Sequence, residues 1–228
     1  MAQEKIRIYA RLRAPKAAAI AGIVFAILLI IAMVLLLISL PENQQDSMTW
    51  LTTNRNNLLL AFNLVPFAGI AFLWFMGVVR DHLGDNEDQF FATVFFGSGL
   101  LFVAMLFITT ALTGTIIILS GTQPDLVIAS AVYGLGWTFA QSLMYTYAIK
   151  MAGVFMISTS SLFIRTGAIP RWMSLLGYLL AAIMIFRIKQ IDRVGWVFLF
   201  FPLWIFLVSI YILNAHYQNK SETASRGN

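Results

Sequence analysis

The chain has 228 residues, 60% of them hydrophobic and 11% charged, with a formal net charge of +5 and no cysteine. That is more apolar surface than a soluble domain of this length has to cover, so a membrane is the expected solvent and lipid the first partner. The missing thiols exclude disulfides, zinc–thiolate sites, cysteine nucleophiles and palmitoyl anchors. The basic residues sit near helix ends and form no aromatic-interleaved groove, which speaks against nucleic acid.

Residues 1–16 carry Lys5, Arg7, Arg11, Arg13 and Lys16 against the single acid Glu4, directly before an apolar run from Ala17 to Leu40. The positive-inside rule keeps such an end in the cytoplasm. The run is as long as a full crossing and exceeds the core of a cleavable signal, so an uncleaved anchor is expected. Ala18, Gly22 and Ala26 recur every fourth residue within it, a stripe suited to close helix contact. Pro41 to Asn57 is polar with one base, Arg55, and fits the outer side, with Trp50 at the interface.

A second crossing is expected from Leu58 to Val79, containing Asn63 and Pro66. Proline removes a backbone donor, and Asn63, about one turn earlier, is placed to satisfy a freed group or to reach a neighbouring helix. A kinked helix at a transport site would use the same residues.

The stretch from Arg80 to Asp88 is the only dense run of charge between long apolar segments, with acids at Asp81, Asp85, Glu87 and Asp88. The plainer reading is helix capping: Asp85 as N-cap, with Glu87 and Asp88 facing the positive end of the next helix. A divalent cation or partner site is the sharper one. The spacing is not that of an EF-hand.

From Gln89 to Leu119 the chain is apolar for about 30 residues, which at 1.5 Å each exceeds a ~30 Å hydrocarbon core, so this helix must tilt or emerge. Gly97-Ser98-Gly99 lacks the context of a nucleotide loop. Gly121 to Asp125 signals a turn, and Leu126 to Ile164 is again apolar. Two crossings there would need a reversal, yet Ala148 to Ala152 has no turn chemistry. One crossing is therefore expected from Met144 to Ile164, preceded by a helix outside or along the outer interface.

Ser130, Gly134, Thr138, Gln141, Tyr145, Ala148 and Ala152 follow one another at helical spacing and make one small or polar face. It fits a groove for another helix, with Gln141 and Tyr145 bonding across it, or the lining of a wet pathway. Lys150 is the one ionised residue inside this length. It either snorkels to the outer interface or acts as a buried coupling charge.

Arg165 to Trp172 is a short basic loop in which Pro170 is placed to open the next helix. It shares the inner side with the acidic run, so Arg165 and Arg171 are expected to meet Asp81, Asp85, Glu87 and Asp88. Trp172 to Phe186 is a short apolar segment with Gly177 and Ala181 four apart, followed by Arg187, Lys189, Asp192 and Arg193. Those three bases fall on the outer side, against the rule that sets the orientation. A last span, Val194 to Leu213, contains Pro202 and Trp204, and the polar tail 214–228 is expected to be disordered. The fold expected is thus an all-α, polytopic transmembrane bundle of six spanning helices over residues 17–213, with both termini cytoplasmic.

Phe72-Leu73-Trp74-Phe75, Arg80 to Gly84, Phe90 to Val94 and Gly97 to Leu101, with Arg165-Thr166-Gly167, Pro170-Arg171-Trp172 and Leu176-Gly177-Tyr178, resemble a group of small uncharacterised bacterial integral membrane proteins. The resemblance implies a bacterial plasma-membrane location and brings no activity and no site residues.

The leading functional expectation is a non-enzymatic bundle, a homo-oligomer or an accessory subunit of another membrane protein. The alternative is a channel or transporter for a small solute or ion, using Asn63, the Ser130 to Tyr145 face and Lys150. An enzyme should show converging acids, histidines or a nucleophile motif. The chain has only His82 and His216, without ligand spacing, and neither a zincin helix nor a nucleophile elbow. No cofactor or metal is expected.

Overall fold

The computed structural model describes residues 2–39, 54–83, 89–122, 131–186 and 196–225, with side chains within 16–39, 54–80, 90–119, 134–186 and 196–218. Among the described residues there is no strand, and six helices follow one another. They are α1 (Ala2–Ser39), α2 (Arg55–Leu83), α3 (Gln89–Thr122), α4, α5 (Arg171–Ile185) and α6 (Phe200–Ser225), the last entered through a 3-10 turn, Trp196–Leu199. α4 joins an α-helix Ala131–Ser142, a π segment Leu143–Ala148 and an α-helix Ile149–Thr166 without a reversal between them. The apolar stretch from residue 131 to Ile164 is therefore one rod, as the missing turn chemistry implies.

Among the described residues, five helical stretches are long and apolar enough to cross a membrane: Lys16–Ser39, Arg55–Arg80, Phe90–Leu119, Gly134–Thr166 and Trp196–Gln218. Such helices make this a multi-pass membrane protein. α5 differs, since its 15 residues give about 22 Å of axis against a core of ~30 Å.

Local chemistry explains the helix ends. Gly167 closes α4 with φ 65°, the left-handed conformation that needs no Cβ. Pro170 precedes α5 in extended conformation and its carbonyl accepts the Met173 N–H at 3.0 Å, so it opens the helix as its position suggests. Pro202 falls in the first turn of α6, where a proline is tolerated. Pro66 lies inside α2, which continues through it. α6 also continues to Ser225, so it takes in residues 214–225 of the polar tail. No glycine or proline interrupts them before Gly227, and a helix already nucleated by packing propagates cheaply.

A layer of phenylalanines ties the rods together. The Phe72 ring of α2 lies 4.7 Å from Phe25 of α1, 5.6 Å from Phe102 of α3, 5.0 Å from Phe155 of α4 and 5.6 Å from Phe201 of α6. The small stripe of α1 serves packing: Ala18, Gly22 and Ala26 are all buried, and Gly22 admits Ser209 of α6 and Phe75 of α2 where a Cβ would stand. One end of the bundle is basic. There Lys16 Nζ lies 5.9 Å from the Tyr217 ring centroid, the Arg80 guanidinium 5.3 Å from that of Phe96, and the Arg165 guanidinium 4.6 Å from that of Phe91.

Candidate functional site

The densest buried polarity lies in α4 near this basic end. Ser158, Thr159, Ser160 and Ser161 are consecutive and all buried. At 100° per residue, four in a row cover most of the helix circumference. The rod is therefore enclosed by protein at this level, with Ser158 to Phe163 buried without a break.

Three of these hydroxyls bond back into their own helix, from Ser158 to the Val154 carbonyl at 2.9 Å, Thr159 to Phe155 at 2.7 Å and Ser161 to Ile157 at 2.8 Å. Ser161 Oγ also lies 2.7 Å from the Tyr178 hydroxyl of α5. Ser160 Oγ makes no hydrogen bond and occupies the place of a Cβ on Gly177 of α5. Ser209 Oγ is likewise without a hydrogen bond and sits on Gly22 in the same way. The two contacts repeat one device, a hydroxyl seated on a glycine across a helix interface, where weak Cα–H donors are the available partners. Ser174, in the first turn of α5, is also buried without a hydrogen bond. Across from these, the Trp204 indole N–H of α6 donates to the Met173 carbonyl of α5 at 3.2 Å. The seam thus offers hydroxyls, an indole and carbonyls, groups that donate and accept hydrogen bonds while carrying no charge near neutral pH.

The residues singled out from the sequence are dispersed. Along α4, Thr138 and Gly134 are exposed, Gln141 and Tyr145 half-buried, and Ala148 and Ala152 buried. The π segment accounts for part of this change: Ile149 donates its backbone N–H to the Met144 carbonyl, five residues back. Such a turn takes in an extra residue, so a 3.6-residue wheel does not carry one face across it. Asn63 and Lys150 are exposed on α2 and α4. Arg165 and Arg171 are exposed at the basic end, Arg165 against Phe91, three residues beyond Asp88. Asp81 belongs to α2 but its side chain lies outside the described residues, as do Asp85, Glu87, Asp88 and Ser130 entirely. Among the described residues no three His, Asp or Glu side chains gather.

Sequence reading missed the seam because residues 158–161 were counted into an apolar length. The signal was present as Ile-Ser-Thr-Ser-Ser within a span. Four adjacent hydroxyls leave a helix no purely lipid-facing side. Comparison with family models, with curated proteins and with solved structures finds no match for this chain.

Proposed function

We propose that this is a non-enzymatic helical-bundle protein of a bacterial plasma membrane, with both termini cytoplasmic, that joins a second copy of itself through the outer part of α4. The orientation is supported by Lys16, Arg80, Arg165 and Arg171 at one end of the bundle. The observation that carries the association is the uncovered side of α4 before its π segment. Gly134 and Thr138 are exposed there beside Leu135 at 73% and Phe139 at 53%. Small and hydroxyl residues facing outward on an apolar helix suit close approach by another helix better than contact with acyl chains.

The same exposure bears on solute passage. A face on the outside of a single bundle encloses no path, so a channel along Thr138 and Gln141 would need the second copy to close it. Oxidative cross-linking of the full-length protein in native membranes tests the assignment. Thr138→Cys should give a disulfide-linked dimer, and Trp74→Cys, 69% exposed on α2, should not. A monomer by light scattering in mild detergent, with no cross-link at Thr138, overturns it.

A further inference from the structure

The five spanning stretches are free of charge in their interiors with one exception. None of Lys16–Ser39, Arg55–Arg80, Phe90–Leu119, Gly134–Thr166 and Trp196–Gln218 contains an Asp or Glu, and Lys16, Arg55, Arg80 and Arg165 each stand at an end of a stretch or one residue from it. Lys150 alone stands inside, sixteen residues from either end of its own.

Its depth follows from the rod. Arg165 marks the basic end, and Lys150 lies fifteen positions before it, about 22 Å along the axis. Against a core of ~30 Å that leaves about 8 Å of hydrocarbon beyond Lys150, and any tilt of α4 leaves more. Exposed apolar side chains continue along α4 in both directions, with Phe139 and Leu135 eleven and fifteen positions before Lys150 and Ile164 fourteen after it. Neither edge of the apolar surface is therefore close to the ammonium.

Lys150 is exposed on the bundle surface, and its helical neighbour Tyr147, three residues earlier, is 55% exposed. Among the described residues neither makes a hydrogen bond or an ion pair. An ammonium in hydrocarbon calls for a counter-charge, and the phenol beside it offers a second donor; a carboxylate accepts from both. A second copy brings no such group to this depth, since the spanning stretches and α5 are all without acids.

We infer that Lys150, with Tyr147 beside it, docks a membrane helix of a different protein, one that carries an Asp or Glu within its own span. The pair forms away from water, where charge-assisted hydrogen bonds are strong and a lone charge is costly. Thr138 lies twelve residues away, about 18 Å along the rod, so this contact is separable from the proposed contact between copies.

The full-length protein in phosphatidylcholine vesicles, probed with a synthetic single-span Leu–Ala peptide, tests the pairing. The peptide carries one Glu, at its centre or about five residues from one end, and a matched peptide carries Gln. Energy transfer from a donor on Ala168→Cys to an acceptor on the peptide should show the better Glu peptide associating roughly tenfold more tightly than its Gln match. The difference should vanish in Lys150→Gln, shrink in Tyr147→Phe, and turn into a preference for a Lys peptide in Lys150→Glu. Equal association of Glu and Gln peptides with the wild type would mean that the ammonium is satisfied without a partner, and overturns the docking. A Glu preference that appears only in Asp192→Asn would mean that an acid of this chain already holds Lys150, and a Thr138→Cys cross-link lost in Lys150→Gln would put a second copy there; either result overturns it as well.

Discussion

The indole N–H of Trp204 donates to the carbonyl oxygen of Met173 at 3.2 Å, fastening α6 to the first turn of the short helix α5. Trp204 is 1% exposed. Trp204→Phe keeps an aromatic ring and loses the bond, and should cost about 1 kcal/mol. Trp204→Ala also empties a large volume and should cost about 3–5 kcal/mol. Reversible unfolding in mixed micelles measures both, and equal losses for Phe and Ala would show that the hydrogen bond, not packing, dominates.

Gly177 takes the close approach of two neighbours at once. A methyl there would fall on Ser160 Oγ and 2.8 Å from the Trp204 ring. Gly177→Ala should therefore destabilise by about 1–3 kcal/mol. Ser160→Gly in the same chain should recover part of it, with a coupling of roughly 0.5–3 kcal/mol in a double-mutant cycle. Gly22→Ala with Ser209→Gly should behave alike. Strict additivity in both cycles would contradict the contacts.

Ser161 and Tyr178, 2.7 Å apart, give a cleaner pair because neither change adds bulk. Ser161→Ala and Tyr178→Phe should each destabilise, and the cycle should return about 0.6 kcal/mol, up to ~1.7, as hydrogen bonds between membrane helices do. A coupling of zero would mean that each hydroxyl contributes only through its own helix.

At the basic end, the Arg165 guanidinium stands 4.6 Å from the Phe91 ring centroid. Phe91→Leu should cost about 0.5–1 kcal/mol beyond its packing loss, and that excess should vanish in Arg165→Gln. The expected meeting of the loops has its own test. Arg165→Glu or Arg171→Glu should be partly rescued by Asp85→Lys, Glu87→Lys or Asp88→Lys, read as folded yield in the membrane. No rescue in any combination would remove the loop contact and leave the ring contact standing.

The orientation can be checked at three loops. Asn86→Cys and Ala168→Cys should react with an impermeant thiol reagent only from the cytoplasmic side, and Gln123→Cys only from the other. Any other pattern requires a different path for the chain.

The rods were legible because lipid as solvent demands long apolar runs whose ends are marked by charge. Ala17 to Leu40 and Leu58 to Val79 match the spanning stretches Lys16–Ser39 and Arg55–Arg80 within a few residues, although α1 itself begins at Ala2. Pro170 announced the start of α5 through backbone chemistry alone. Depth was not legible. The 15 residues of α5 showed as a short segment, but its level depends on Ile185 meeting Gly153 and Phe198 meeting Phe102, contacts between distant parts of the chain. Nor was it legible that the spacing followed from Gly134 to Ala152 runs through a wide turn after Gln141. A wheel assumes constant winding, and nothing in Leu-Met-Tyr-Thr-Tyr-Ala announces the i to i−5 bond that Ile149 makes. Ser158 to Ser161 was legible and overlooked, since averaging over a window hides a polar cluster that the bundle has enclosed.

That wide turn at residues 143–148 gives α4 two phases along one axis. The extra residue is absorbed within the turn, so deleting a single amino acid there would restore ordinary winding and leave Thr138 facing much as before. Ser158 to Ser161 would stay clamped between their neighbours. The loss of one codon at this turn can thus be taken up by local winding, with both halves of the rod keeping their companions.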